Sequence, residues 1–412
     1  MATGRGKAGF AQTTIRTIQQ RASFRCIVPS CKTTTMGPGP KSDQSASTGT
    51  ACHIFSAATN GPRGRGGLSD EELRSADNGV WACATHGRLI DTNAGDAYPA
   101  SLLYAWKSLQ EAQLKKEQDG QSTSIGWLNA ISLDNTVLFR NGETVQWGKA
   151  NFVRGPVLGK TALLDWISGS LGGALSDRWM AGTHTSLISI TAFTPDEQNV
   201  CATISKDGIS ASVNGTTRAK IPQTMATVFL SEEIRKRPET DLDDDALLGQ
   251  VIGVESTVVR QLVPDIRRNG TPWGKDFEFF DEPRILGYDD DYEEILSDTE
   301  SEWVLRHGGS TGQSMHTLSG SEDIRLKIEF AMALARDHAL STPTLLLLDG
   351  SGWSLDDGNL DGLASYLSTQ PYQTILTGLE NRKPGDPAKW DGWSCFDLNG
   401  ERGNATINQV DW

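Results

Sequence analysis

Apolar positions along this chain follow two periods, and the change from one to the other marks its organisation. From Ala100 to Lys116 the residues Leu102, Leu103, Trp106 and Leu109 recur at helical spacing, which predicts an amphipathic helix. A polar, glycine-containing stretch at 117–124 follows, and beyond it the pattern turns to short alternating runs. Strands are predicted at 128–133, 137–139, 145–147, 151–153, 186–193 and 199–204, with Lys206-Asp207-Gly208 as a hairpin turn. Farther on, T-L-S-G-S-E at 317–322 opens an apolar-periodic helix, and four consecutive leucines, Leu345 to Leu348, end in Asp349. Uninterrupted apolar residues suit a strand buried on both faces, so the larger C-terminal part reads as an α/β fold. No internal repeat is visible.

Composition and charge sharpen this division. At 412 residues, with 37% hydrophobic and 7% aromatic content, the chain can fill two cores, which excludes global disorder. The pattern gives a flexible basic tail at 1–20, a compact Cys/His-containing block at 21–116, a linker at 117–124, and a second domain at 125–412 with an acidic insertion around 232–305. There is no run of eighteen apolar residues and no secretory leader pattern, so a cytoplasmic protein without a membrane span is expected. The net charge of −14 is unevenly spread. Up to Lys116 there are 14 Lys and Arg against 8 Asp and Glu, a net of +6, while the remainder carries 24 against 44. The N-terminal part is therefore the candidate nucleic-acid surface. The acidic excess concentrates at 239–245 and 289–302, where a solvated acidic face is the plain reading.

The strand at 151–153 runs into Arg154-Gly155-Pro-Val-Leu-Gly159-Lys160-Thr161 and then a helix. Glycines let backbone N–H groups cradle a phosphate, a lysine reaches the outer phosphates, and a Thr hydroxyl binds Mg²⁺. Gly155, Gly159, Lys160 and Thr161 are thus candidate ligands for ATP and Mg²⁺, with Asp349 supplying a carboxylate from the end of the buried strand. Ser319 and Gly320, where the later helix begins, offer aligned N–H dipoles to a phosphate.

Taken in order, Leu318-Ser319-Gly320-Ser321-Glu322, Leu345 to Asp349 and Ser354-Leu355-Asp356 resemble the signature, Walker B strand and D-loop of ABC-type ATPases, specifically the SMC-like and DNA-repair branch. The resemblance implies that two ATPase domains pair head to tail, as a homodimer or with a second ABC-type ATPase, so that Ser319 and Gly320 cover the partner's nucleotide. Three positions depart from the family. Arg154 stands where the first phosphate-loop glycine is expected. Gly350 stands where a Glu should orient the attacking water, and 373–379, the strand that should carry a switch His, has none. Glycine cannot act as a general base, so ATP binding with weak or absent hydrolysis is expected.

In the N-terminal block, Cys26-x4-Cys31 and Cys83-x2-His86 carry thiolates and an imidazole at spacings suited to a structural, tetrahedral Zn²⁺. The competing reading is four unrelated core residues. The text around them, Ala51-Cys-His53-Ile-Phe, Asn60-Gly-Pro-Arg63, Leu68-Ser-Asp-Glu-Glu-Leu-Arg74, Asn78-Gly-Val-Trp81-Ala-Cys83 and Leu103-Tyr-Ala-Trp106-Lys107, resembles HNH-endonuclease domains of bacterial phage-defence proteins over about residues 24 to 110. That resemblance implies a ββα-metal fold in which His53 is the general base and Asn78 positions the His-bearing loop; a core histidine is the plainer alternative for His53. Cys52 and Gly87 occupy the positions expected to hold the catalytic ion, with Asp91 as a nearby carboxylate. Arg63, Arg65, Arg88 and Lys107 are the candidate phosphate contacts to DNA.

The expectation is an HNH-like zinc domain followed by an ABC-type α/β ATPase domain, an antiphage defence subunit in which ATP binding gates a metal-dependent DNA endonuclease. The alternative is a non-catalytic regulatory subunit that binds ATP, DNA and a second ATPase without cutting.

Overall fold

A computed structural model describes residues 8–28, 31, 33–118, 128–156, 159–181, 184–193, 197–218, 225–231, 242–273, 277–307, 313–315, 318–339, 342–350, 353, 355–380, 382 and 384–411. The fold is mixed α/β. No helix among these residues is long and apolar enough to cross a membrane.

The N-terminal part begins with α1 (Gln12–Arg21) and a short exposed hairpin, β1 (Met36–Pro38) and β2 (Ser45–Ser47). Next come β3 (Gly49–His53), α2 (Asp70–Leu73), β4 (Gly79–Cys83) and α3 (Ala84–Leu89). β3 and β4 pair antiparallel and α3 packs on both, which is the ββα unit expected. α4 (Ala100–Gln118) is the helix predicted from its apolar stripe, and it runs two residues into the expected linker; 119–124 lie outside the described residues. The flexible tail expected at 1–20 is corrected from Gln12 onward, residues 1–7 being outside the described ones. Ile18 of α1 is buried against Trp81, and Arg21 pairs with Glu111 of α4 at 2.6 Å. A Cβ at Gly79 would come within 2.3 Å of the Ile18 side chain, so that glycine lets α1 lie on β4. Two isoleucines among Gln, Thr and Arg were too thin a stripe to read as a buried face.

The second part opens with β5 (Leu128–Asp134), β6 (Glu143–Gln146), β7 (Ala150–Gly155), α5 (Lys160–Ser170), β8 (Ser186–Phe193), β9 (Glu197–Ser205), β10 (Gly208–Val213), β11 (Thr216–Arg218) and β12 (Ala226–Leu230). The predicted strand at 137–139 reduces to one bridge between Phe139 and Ala405, because the Thr136 hydroxyl accepts from the Phe139 N–H and folds the segment into a turn. Then follow α6 (Asp244–Ile252), α7 (Ser256–Asn269), β13 (Phe277–Tyr288), β14 (Glu294–His307), β15 (Gln313–Ser314), α8 (Gly320–Ala339), β16 (Thr344–Leu348), α9 (Asp357–Ser368), β17 (Gln373–Leu379), β18 (Trp393–Asn399) and β19 (Thr406–Val410).

Two six-stranded sheets organise this part. One is antiparallel, in the order β11-β10-β9-β8-β5-β6; the other runs β12-β16-β17-β7-β18-β19 and is parallel except for β19. The leucine run of β16 is buried on both faces as its pattern requires. Leu345 and Leu347 join the core shared with the antiparallel sheet, and Leu346 and Leu348 join the core under α6 to α9. Gln373 ties the sheets together, accepting from Leu128 N–H and donating to the Leu128 and Gly148 carbonyls.

The acidic segment is not set apart as an insertion throughout. Leu248, Val259, Leu262 and Ile266 of α6 and α7 are buried in the same core as α8. Asp244 and Asp245 are buried too, contrary to a solvated face. Asp244 accepts from the Leu305 N–H at 2.8 Å, and Asp245 lies 3.1 Å from Arg260. Burial pushes the Asp245 carboxyl above its ordinary value, with the Ala246 N–H and Arg260 opposing. The solvated reading holds for the hairpin tip, Asp289 to Glu294.

Candidate functional site

The parallel sheet brings the candidate phosphate-loop residues and Asp349 together. β7 and β16 flank β17, so the loop after β7 and the carboxylate after β16 meet at the same, C-terminal edge. Thr161 donates its hydroxyl to Asp349 Oδ2 at 2.5 Å, and Thr377 donates to Oδ1 at 2.8 Å. Sequence reasoning missed Thr377; the signal was a second threonine near the C-terminal end of the strand 373–379. Lys160, fully buried, donates to the Gly155 carbonyl at 2.7 Å and to that of Pro156. Gly159 adopts φ +99° at the start of α5, a conformation that favours glycine. Val157 and Leu158 lie outside the described residues.

The departure at 154 has a geometric cause. Arg154 points along the sheet rather than into the loop. Its guanidinium reaches Asp397 on β18 at 2.5 and 3.3 Å and the Arg382 carbonyl at 3.2 Å, and the Asp397 hydrogen bond raises its pKa. Gly155 takes the role of the tight glycine, since a Cβ there would sit 2.5 Å from the Leu398 carbonyl oxygen. Arg382 in turn binds Asp357 at 2.8 Å and the Leu355 carbonyl at 2.5 Å, linking the loop after β17 to the segment before α9 that was expected to be the D-loop. Asp356 caps α9 through the Asn359 N–H, while Ser354 lies outside the described residues.

Gly350 closes the place where the water-orienting Glu is expected, and Gly378 is a close approach on the strand that carries no His. A Cβ at Gly350 would lie 2.4 Å from the Thr377 carbonyl oxygen, and one on Gly378 of β17 would lie 2.6 Å from the Phe152 ring. Backbone and a buried ring cannot step aside as a flexible side chain would. Gly350→Glu is therefore expected to leave ATP turnover unraised and to destabilise the chain by about 1–3 kcal/mol, measured as thermal unfolding beside phosphate release. A stable variant that hydrolyses ATP briskly would mean the segment after Asp349 can rearrange.

Ser319 and Gly320 stand exposed at the start of α8. Glu322 reaches back to the Ser319 N–H at 3.1 Å and hydroxyl at 2.9 Å, which fixes the turn. A Cβ on Gly320 would meet nothing within 4 Å, so nothing in this chain's own packing demands glycine there.

The second constellation is the Cys/His cluster. The ligand atoms of Cys26, Cys31, Cys83 and His86 all lie within 4.8 Å of one another, and His86 Nδ1 is 3.5 Å from Cys26 Sγ and 3.2 Å from Cys83 Sγ. A tetrahedral Zn²⁺ site has ligand–ligand edges of roughly 3.5–3.8 Å, given Zn–S of ~2.3 Å and Zn–N of ~2.0 Å. Three thiols and one imidazole at this spacing fit that ion. Cys83 precedes α3 and His86 lies in its first turn, so one short helix aims both side chains inward. Burial pushes the Cys26 thiol up to about 12 and lowers the His86 pKa, favouring the neutral imidazole that ligation needs.

Asn78 holds the segment that follows His53. Its side chain accepts from the Phe55 N–H at 2.8 Å and donates to the Phe55 and Leu73 carbonyls at 2.9 and 3.0 Å. The His53 ring, at the end of β3, lies flat against the Phe10 ring, centroids 3.6 Å apart. Gly87 is closed, because a Cβ there would come within 2.3 Å of Thr50 Cγ2, and Cys52 is buried beneath it. Asp91 pairs with Arg63 at 2.7 Å. Arg63 also donates to the His53, Ile54 and Ile90 carbonyls, and Lys107 donates to those of Ala76 and Asp77. Arg65 pairs with Asp70. Of the four expected phosphate contacts, Arg63 and Lys107 serve the fold and only Arg88 is exposed. Among the described residues the Cys26 cluster is the one group of three or more His, Cys, Asp or Glu placed to hold a metal ion.

No protein-family model matches the chain, and no curated protein matches it by sequence. Among proteins of known structure, it is similar to the Smc head bound to the C-winged helix domain of ScpA, at 15% identity over 69% of this chain and 98% of that one, TM-score 0.48. It is also similar to the recombination mediator protein RecF with ATP, at 12% identity over 69% and 98%, TM-score 0.42. A third is the SMC head domain from Thermotoga maritima, at 12% identity over 69% and 99%, TM-score 0.39.

Proposed function

We propose that this chain is an ABC-type ATP-binding subunit that holds ATP–Mg²⁺ with little turnover and carries a zinc-stabilised N-terminal module that binds DNA without cutting it. One observation carries the reading: Thr161 and Asp349 are hydrogen-bonded beside a fully buried Lys160, while Gly350 is closed to any larger side chain. Lys160 would reach the outer phosphates, and Thr161 and Asp349 would hold Mg²⁺. Ser319 and Gly320 would cover the nucleotide of a second ATPase, a second copy or a different subunit; open space at Gly320 supports an approach from outside the chain. Cys26, Cys31, Cys83 and His86 would hold Zn²⁺. A role in phage defence rests on the sequence resemblance, and a cytoplasmic location on the sequence pattern.

The nuclease reading, with His53 as general base, is favoured by the Asn78 clamp. Against it stand the Phe10 ring on His53 and the closed position at Gly87. The full chain, incubated with DNA, ATP and Mg²⁺ or Mn²⁺, is expected to bind DNA in a salt-sensitive way, leave it intact and release little phosphate. Cleavage that disappears in His53→Ala would favour the nuclease, since a general base acts in the transition state while cationic contacts set affinity.

A further inference from the structure

The hairpin of β13 and β14 leaves the core with an apolar surface still in water. Its base is anchored: Leu305 is buried, and the Phe279 ring packs 6.3 Å from that of Phe330. Its outer half is not. Among the described residues, seven of the nine large apolar side chains that stand exposed lie on this hairpin, and Ile285, Leu286, Tyr288, Tyr292, Ile295 and Leu296 crowd its outer half. So dense a cluster on two strands marks an interaction surface, because a lone hairpin is marginal in water and scattered apolar exposure would not gather there.

The tip is built for display. Asp289 accepts from the N–H groups of Asp291 and Glu293 at 2.9 Å each, and the turn places Tyr292 at φ +64° with 88% of its surface exposed. An aromatic residue in the left-handed region costs about 1–3 kcal/mol, and such strain persists where something else uses it. The edges are open as well. No strand among the described residues pairs with the outer edge of β13, and β15 reaches β14 only at Arg306 and His307.

Charge selects the partner. Asp289, Asp290, Asp291, Glu293, Glu294 and Asp298 surround the apolar cluster, and Arg284, the cation of this half, already faces Asp243 at 3.1 Å. Such a surface repels DNA and repels the same hairpin of a second copy. We infer that the outer half of this hairpin docks a separate protein through a cationic strand in which Lys or Arg alternates with apolar residues, added to the open edge.

The test uses the full chain without nucleotide and a fluorescent peptide alternating Lys and Val, with a Glu–Val peptide as control, read by anisotropy. The Lys–Val peptide is expected to bind, to weaken with salt, and to lose about tenfold or more in affinity in Tyr292→Ser and in Ile285→Ser/Leu296→Ser; the Glu–Val peptide is expected not to bind. Tyr292→Ser removes an exposed side chain, so its unfolding temperature should match the wild type and keep the result interpretable. Equal binding of both peptides, no binding of the Lys–Val peptide, or undiminished binding by the variants overturns the inference. So does a wild-type dimer, seen by sedimentation, that the variants lose, because the occupant is then a second copy.

Discussion

If the cluster holds the proposed Zn²⁺, Cys26→Ser is expected to release it and to cost residues 21–116 their fold while the part from β5 onward keeps its own. The size of the effect follows from two magnitudes. Structural Zn²⁺ contributes an apparent ~10–16 kcal/mol at neutral pH, whereas a whole domain is stable by only ~5–15 kcal/mol. The four ligands come from a turn at Cys26 and Cys31 and from the β4–α3 junction at Cys83 and His86, so the ion ties together segments far apart in sequence. Without it, buried Cys26 and Cys83 would keep thiols with little else to satisfy them. Elemental analysis should give one zinc per wild-type chain and none for the variant. Amide exchange should lose protection over 21–116 and keep it from β5 onward. Cys52→Ser is the control, since Cys52 is buried against Gly87 outside the cluster and should leave the zinc in place. Folded wild-type protein without zinc would end the assignment.

Lys160→Ala is expected to weaken ATP–Mg²⁺ binding by about 100-fold or more, because charge-assisted hydrogen bonds are worth ~1.5–3 kcal/mol each and a buried ammonium makes several to a polyphosphate. The free chain should lose about 1–3 kcal/mol at most, since removal of a buried charge offsets part of the cost of leaving the Gly155 and Pro156 carbonyls without that donor. Calorimetric titration of the two proteins with ATP and Mg²⁺ checks this, with unfolding temperatures measured alongside. Unchanged affinity would mean that nucleotide, if bound, lies elsewhere.

What was legible in the sequence was local. Leu345 to Leu348 had to be a strand buried on both faces, and the leucines divide between two cores as their alternation dictates. A strand, glycines and Lys160-Thr161 opening a helix marked a loop whose partner carboxylate was already visible as Asp349. The Cys and His spacings marked a cluster that the fold brings together. Each rests on neighbours in the chain or on a chemical type that has few other uses.

Tertiary structure decided which groups were already committed. Arg63 and Lys107 read as free cations, yet backbone carbonyls from distant segments occupy them. Asp244 and Asp245 read as solvated, yet β14 and Arg260 bury and bind them. Gly350 read as a missing catalytic group, and only the Thr377 carbonyl, 2.4 Å from where a Cβ would sit, shows that a side chain there would have to displace backbone. Local sequence sets backbone preference and apolar period, whereas the use of a charge or the space at a glycine depends on atoms that arrive from other strands.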